Sequence, residues 1–149
     1  MFWDREEVSF ADLMRQFLQS HDPTQGNGQG NDRGTQYRSG VYPRTQEDFE
    51  VAKAAVQAYQ KALGRKVTTE IIFPAPEFYY AEKYHQQYLA LPGSRKYCSA
   101  EPTGVSLPPF SEWAPAGATS PKLPEGYWDK HAPTPACVLK QPDAQIVFP

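Results

Sequence analysis

YRSGVYPRTQEDFEVAKAAVQAYQKALGRKVTTEIIF, residues 37–73, is the stretch that decides the fold class. Tyr37 to Tyr42 alternates as a strand does and is closed by Pro43. Thr45 with Asp48 has capping-box spacing and opens a helix in which Phe49, Ala52, Val56, Tyr59 and Leu63 recur every three or four residues. Gly64 supplies the stop, and Arg65 and Lys66 sit where the helix dipole favours positive charge. Thr68 to Phe73 is rich in β-branched residues, reads as the next strand, and is ended by Pro74 and Pro76.

Upstream, Met1 to Trp3 reads as the end of a strand. Ser9 and Asp12 repeat the capping-box spacing, and Phe10, Leu13, Met14, Phe17 and Leu18 make one apolar helical face that should end near Ser20, before Asp22-Pro23. Residues 21–36 form a polar loop with Gly26, Gly28, Gly30 and Gly34. Downstream, Tyr79 to Leu89 reads as a short, aromatic-rich third helix. The order is a broken βαβ series, which predicts an α+β fold with helices packed against a small sheet. Beyond residue 107 the pattern fades: ten of the 15 prolines fall between Pro102 and Pro149. Unpatterned, Pro-rich chain buries little apolar surface, so we expect a core domain over 1–107 and a mostly irregular, mobile tail over 108–149. Phe110, Trp113, Tyr127, Trp128 and Phe148 are the residues that tail has available for docking.

A chain of 149 residues has room for one domain with a modest core, and 40% hydrophobic content with 13% aromatics fits a globular protein. A net charge of −2 gives no electrostatic reason to expect nucleic acid or an anionic membrane as partner. No apolar run approaches the roughly 20 residues that span a bilayer. Met-Phe-Trp-Asp-Arg-Glu-Glu lacks the basic and apolar regions of a secretory signal, which predicts a cytoplasmic or organellar, non-secreted protein. Cys98 and Cys137 are too few for a disulfide scaffold and fit reduced thiols or redox chemistry.

The chemistry-bearing candidates are few. Glu82 and His85 have the Glu-x-x-His spacing of di-iron bundles, but no second pair exists, so His85 reads as structural. His21 reads as a helix-end residue rather than a base, and three scattered histidines with two cysteines do not make a zinc site. The glycines of residues 26–34 lack the Gly-Lys-Ser/Thr ending of a phosphate loop. What remains is Gly30-Asn31-Asp32-Arg33-Gly34-Thr35-Gln36-Tyr37-Arg38-Ser39, where turn formers hold a carboxylate, Asp32, close to a phenol, Tyr37. An ordinary connecting loop accounts for the same composition.

That decapeptide, preceded by His21-Asp22-Pro23-Thr24, resembles a block of methionine sulfoxide reductase A. Phe78-Tyr79-Tyr80-Ala81-Glu82-Lys83-Tyr84-His85-Gln86-Gln87-Tyr88-Leu89 is similar to a second block, Tyr-x-Ala-Glu-x-Tyr-His-Gln-Gln-Tyr-Leu. The resemblance covers residues 1–107. The family's nucleophilic Gly-Cys-Phe-Trp motif does not occur in these 149 residues. Tyr97-Cys98 and Thr103-Gly104-Val105-Ser106 match the recycling-cysteine segment, whereas Leu107 stands where the family has a second recycling cysteine, and Lys96, Ser99, Ala100 and Glu101 depart from its glycine-rich pattern.

The resemblance implies a ferredoxin-like core whose first strand and first helix are missing from this chain, together with the nucleophile. It implies reduction of free and protein-bound methionine-(S)-sulfoxide through a cysteine sulfenic acid, then a disulfide that thioredoxin reduces. It assigns Tyr37 as a hydroxyl donor to the sulfoxide oxygen, Asp32 as an organiser of substrate, and Cys98 as the resolving thiol. No cofactor is expected, with thioredoxin as external reductant, and the chain is expected to be monomeric. On the same residues, a non-catalytic relative acting as a binding module is the other reading. The chain as it stands, without the motif, is expected to be inactive.

Overall fold

The computed structural model describes residues 3–88, 92–93, 99–124, 126–127 and 130. In chain order these form helix α1 (Phe10–Gln19), strands β1 (Gly28–Gln29), β2 (Asp32–Arg33) and β3 (Gly40–Val41), helix α2 (Gln46–Leu63) and strand β4 (Glu70–Ile71). Short 3-10 turns occupy Thr35–Tyr37 and Phe110–Glu112.

Both helices begin where the capping residues place them. Ser9 Oγ accepts from the Asp12 N–H at 3.1 Å, and the Asp12 carboxylate accepts from the Ser9 N–H at 3.0 Å, completing a capping box. At α2, Thr45 Oγ1 accepts from the Asp48 N–H at 3.1 Å. The Asp48 carboxylate instead takes the Arg5 guanidinium, at 2.6 and 3.3 Å. Gly64 ends α2 with φ 67°, a left-handed angle that glycine adopts without the Cβ penalty.

The core lies between these helices. α1 contributes Ala11, Met14 and Leu18; α2 contributes Val51, Ala52, Ala55 and Tyr59; Val67 and Leu107 close it. Ala52 and Ala55 are wholly buried, and their small side chains let the two backbones approach. The apolar stripe of α2 is rotated by about one residue from the periodicity read above, with Val56 and Leu63 at its margins.

β3 and β4 pair in parallel, Gly40 opposite Glu70 and Val41 opposite Ile71, with α2 as the crossover. This is one βαβ unit with very short strands. The strands expected over Tyr37–Tyr42 and Thr68–Phe73 shrink to these cores because Tyr37 is drawn into the 3-10 turn and Pro43 has no N–H for a ladder. β1 and β2 form a separate antiparallel hairpin inside what reads as a structureless loop. Met1 and Phe2 lie outside the described residues, and Trp3 is not in a strand.

One expectation is corrected. No α-helix forms over the described part of residues 79–89: 79–82 are irregular, 83–87 run as turns and Tyr88 is in a 3-10 conformation. Phe78, Tyr79, Tyr80 and Tyr84 are 65–87% exposed, and a short helix with no surface to bury its apolar face is marginal in water. Among the described residues packing continues past residue 107, where Phe110, Trp113 and Ala118 rest on the core along a largely irregular path. No described helix is long and apolar enough to cross a membrane.

Candidate active site

The site is built on the β1–β2 hairpin. Its register, Gly28 opposite Arg33 and Gln29 opposite Asp32, leaves Gly30-Asn31 as a two-residue turn. Gly30 has φ 57° at the first central position, where such a turn demands glycine. A Cβ there would fall 1.9 Å from the Ser99 carbonyl oxygen, so close approach is a second reason for glycine. The Asn31 N–H donates to Ser99 Oγ at 3.1 Å, pinning the hairpin tip to the residue that follows Cys98 in sequence. Arg33 Nη1 donates to the carbonyls of Gly30 and Asp32 at 2.8 and 3.0 Å, bracing the turn from within.

From the hairpin the chain passes straight into the 3-10 turn. Gly34 N–H donates to Asn27 C=O at 2.9 Å, and Tyr37 N–H to Gly34 C=O at 3.1 Å. Asp32 on β2 and Tyr37 at the end of the turn are thus held by one continuous hydrogen-bonded segment, and both side chains are exposed, Tyr37 by 41%. The acidic and hydroxyl groups singled out in the sequence therefore sit on one hydrogen-bonded segment and are open to solvent.

Below the turn, Arg38 fixes its base. Its Nε donates to Glu70 at 2.7 Å, Nη1 to the Thr35 carbonyl at 2.7 Å and Nη2 to Tyr42 Oη at 3.1 Å, while Tyr42 donates to the same Glu70. The bond from Tyr42 is the largest influence holding the Glu70 carboxyl below its usual range. Nothing in the sequence spacing announced this cluster, because Glu70 meets Arg38 only through the β3–β4 pairing.

His21 ties α1 to the sheet. Its Nδ1 lies 2.8 Å from the Phe17 carbonyl, so Nδ1 carries the proton, and Nε2 accepts from Ser39 Oγ at 2.8 Å. Ser39 Oγ in turn lies 2.8 Å from Thr69 Oγ1. Burial depresses the His21 pKa against the opposing pull of the Phe17 bond. His21 is thus a helix-end residue, as its position suggested. Asp22 is also acidified: burial alone would raise it, but bonds from Thr24 and the nearby Arg65 outweigh that.

His85 and Glu82 are exposed in the turns of residues 82–87, joined by a backbone bond of 2.8 Å, and no metal-binding cluster occurs among the described residues. Cys98 and Cys137 lie outside the described residues.

A family model described as peptide methionine sulfoxide reductase matches residues 1–107. The chain belongs to the peptide methionine sulfoxide reductase family. It is 54% identical over 110 residues to a peptide methionine sulfoxide reductase MsrA of Xanthomonas campestris pv. phaseoli, covering 71% of this chain and 50% of that protein. With a peptide methionine sulfoxide reductase MsrA 1 of Synechocystis sp. the identity is 50%, over 71% of this chain and 49% of the relative. The chain therefore spans about half the length of the curated relatives it matches. Among solved structures, Mxr1 of Saccharomyces cerevisiae in reduced form superposes with a TM-score of 0.54 at 38% identity, over 58% of this chain and 48% of that one. The matched residues include the hairpin, the 3-10 turn and both helices of this family member.

Proposed function

We propose that this chain serves the reduction of free and protein-bound methionine-(S)-sulfoxide to methionine, as the portion of a reductase that carries Asp32, Tyr37 and Cys98 but not the nucleophile. The observation that supports this best is the continuous hydrogen-bonded segment that presents Asp32 and Tyr37 together to solvent. In this reading a thiolate outside the 149 residues attacks the sulfoxide sulfur. The sulfur–oxygen bond breaks as the oxygen, taking up one proton from the site, passes to the cysteine, giving a sulfenic acid and the methionine thioether. Tyr37 donates its hydroxyl to the sulfoxide oxygen as negative charge grows there. Asp32 orients the substrate or the water beside it. Cys98 then condenses with the sulfenic acid, releasing water, and thioredoxin reduces the disulfide. No cofactor takes part.

The test compares the chain alone with a version joined to the upstream half of a family member bearing Gly-Cys-Phe-Trp. The chain alone should show no turnover above a Cys98→Ser/Cys137→Ser control with thioredoxin or dithiothreitol. The joined protein should turn over. A folded but inert joined protein would overturn the proposal.

A second reading, a non-catalytic relative acting as a binding module, is favoured by one observation: Cys98 and Cys137 are the only cysteines and neither sits in the nucleophile motif. Whether the DNA upstream of Met1 encodes that motif in frame separates the two.

A further inference from the structure

Asp12, Arg15 and Gln19 follow one another on α1 at intervals of three and four residues, so they share one face of the helix. Each binds the backbone of the same downstream segment. Gln19 Oε1 accepts from the Leu107 N–H at 3.0 Å, Arg15 Nη2 donates to the Pro108 carbonyl at 3.1 Å, and Asp12 Oδ2 accepts from the Lys122 N–H at 2.8 Å. The segment thus runs along α1 from its C-terminal to its N-terminal end. On α2, Glu47 Oε1 accepts from both the N–H and the hydroxyl of Thr119, at 2.9 and 2.7 Å. Apolar anchors alternate with these bonds. Leu107 is buried in the core, and Phe110 and Trp113 pack edge to face with ring centroids 4.9 Å apart.

This segment lies almost wholly beyond the family match, which ends at residue 107. It pairs with no strand, and its only regular element is the Phe110–Glu112 turn. A cleft of about 280 Å³, lined by Arg5, Ser9, Glu47, Asp48, Thr119 and Lys122 among others, lies beside its far end at the helix N-termini. Its hold is therefore a small set of side-chain bonds, mostly to backbone, plus the three apolar anchors, beside an open cleft. Segments held this way open locally at lower free energy than the helices they cover.

We propose that residues 107–122 form a clasp that opens and closes as a unit over α1 and α2 while both helices stay folded, latched by the backbone-reading side chains Arg15, Gln19 and Glu47. Because the latch bonds mainly to backbone groups, it works on a segment with four prolines, Pro108, Pro109, Pro115 and Pro121, and few patterned side chains. The clasp also fixes the far end of residues 99–107, which are tethered at Ser99 by Asn31 and at Thr103 by the Tyr59 hydroxyl at 2.6 Å.

Hydrogen exchange read by mass spectrometry on the full chain tests this. In an Arg15→Ala/Glu47→Ala double variant, amides of residues 107–122 should exchange at least about tenfold faster, the effect of losing charge-assisted bonds, with α2 amides unchanged. Asp12 is left intact because it also caps α1. In the wild-type chain, native-state exchange under low urea should show clasp amides with a smaller urea dependence than those of α2. Unchanged exchange in the double variant overturns the latch. Equal urea dependence of clasp and α2 overturns the independent unit, and that second measurement stands even where the double variant fails to fold.

Discussion

Nε2 of His21 accepts a hydrogen bond from Ser39 Oγ at 2.8 Å, joining the C-terminal end of α1 to the start of β3. The bond requires a neutral imidazole, because Nδ1 already donates to the Phe17 carbonyl. Protonation turns Nε2 from acceptor into donor, so the Ser39 hydroxyl can no longer donate to it and must turn away.

Stability should therefore depend on pH through His21. Burial places its folded pKa below the unfolded value of about 6.5. Above that value both states are neutral and the contribution is fully present. As pH falls below it the unfolded chain takes up the proton first, so stability declines until the folded pKa is passed. Urea midpoints measured from pH 7.5 to pH 5 should fall in the wild-type chain, and His21→Gln should remove that part of the decline. An identical pH dependence in His21→Gln assigns the effect to other groups.

Gly30→Ala should damage the hairpin specifically. It imposes a positive φ on a Cβ-bearing residue and drives that Cβ into Ser99, so a loss of about 1–3 kcal/mol is expected. Thermal unfolding measures the loss, and Gly26→Ala, also at positive φ but with open space around it, separates strain from collision. Equal losses at the two positions would remove the role given to Ser99.

Leu107→Ala should cost about 2–5 kcal/mol, the range for truncating a fully buried leucine. Leu107 stands where the resemblance places a second recycling cysteine, and here that position belongs to the core. Urea denaturation checks this; a loss below about 1 kcal/mol would mean that the site collapses around the truncation or that Leu107 packs loosely.

In the joined protein carrying the nucleophile motif, Tyr37→Phe should slow sulfoxide reduction by roughly 1–4 kcal/mol of transition-state stabilisation, with folding unchanged. Asp32→Asn should weaken substrate affinity. Cys98→Ser should leave the first turnover intact while thioredoxin-driven cycling drops steeply. Single-turnover and steady-state kinetics distinguish the three, and a Cys98→Ser variant that cycles at the wild-type rate moves the resolving role elsewhere.

The helices were legible in the sequence because their signals are local. Ser9, Thr45 and Gly64 act through bonds or backbone angles within a few residues of themselves, and apolar spacing of three and four declares a face wherever it packs. The turn at Gly30-Asn31 was legible for the same reason, since turn residues carry their backbone angles with them. Whether Tyr79 to Leu89 coils and whether residues 108–122 dock depended instead on what surface awaited them. The exposed aromatics Phe78, Tyr79, Tyr80 and Tyr84 find no core surface and stay out of an α-helix, whereas a Pro-rich segment without a pattern is held by Asp12, Arg15, Gln19 and Glu47, which bind mainly its backbone. The contacts of Arg38 with Glu70 and of Gly30 with Ser99 span 32 and 69 positions of sequence. No local propensity encodes them, and only the tertiary structure, through the β3–β4 pairing and the return of residues 99–107, could decide them.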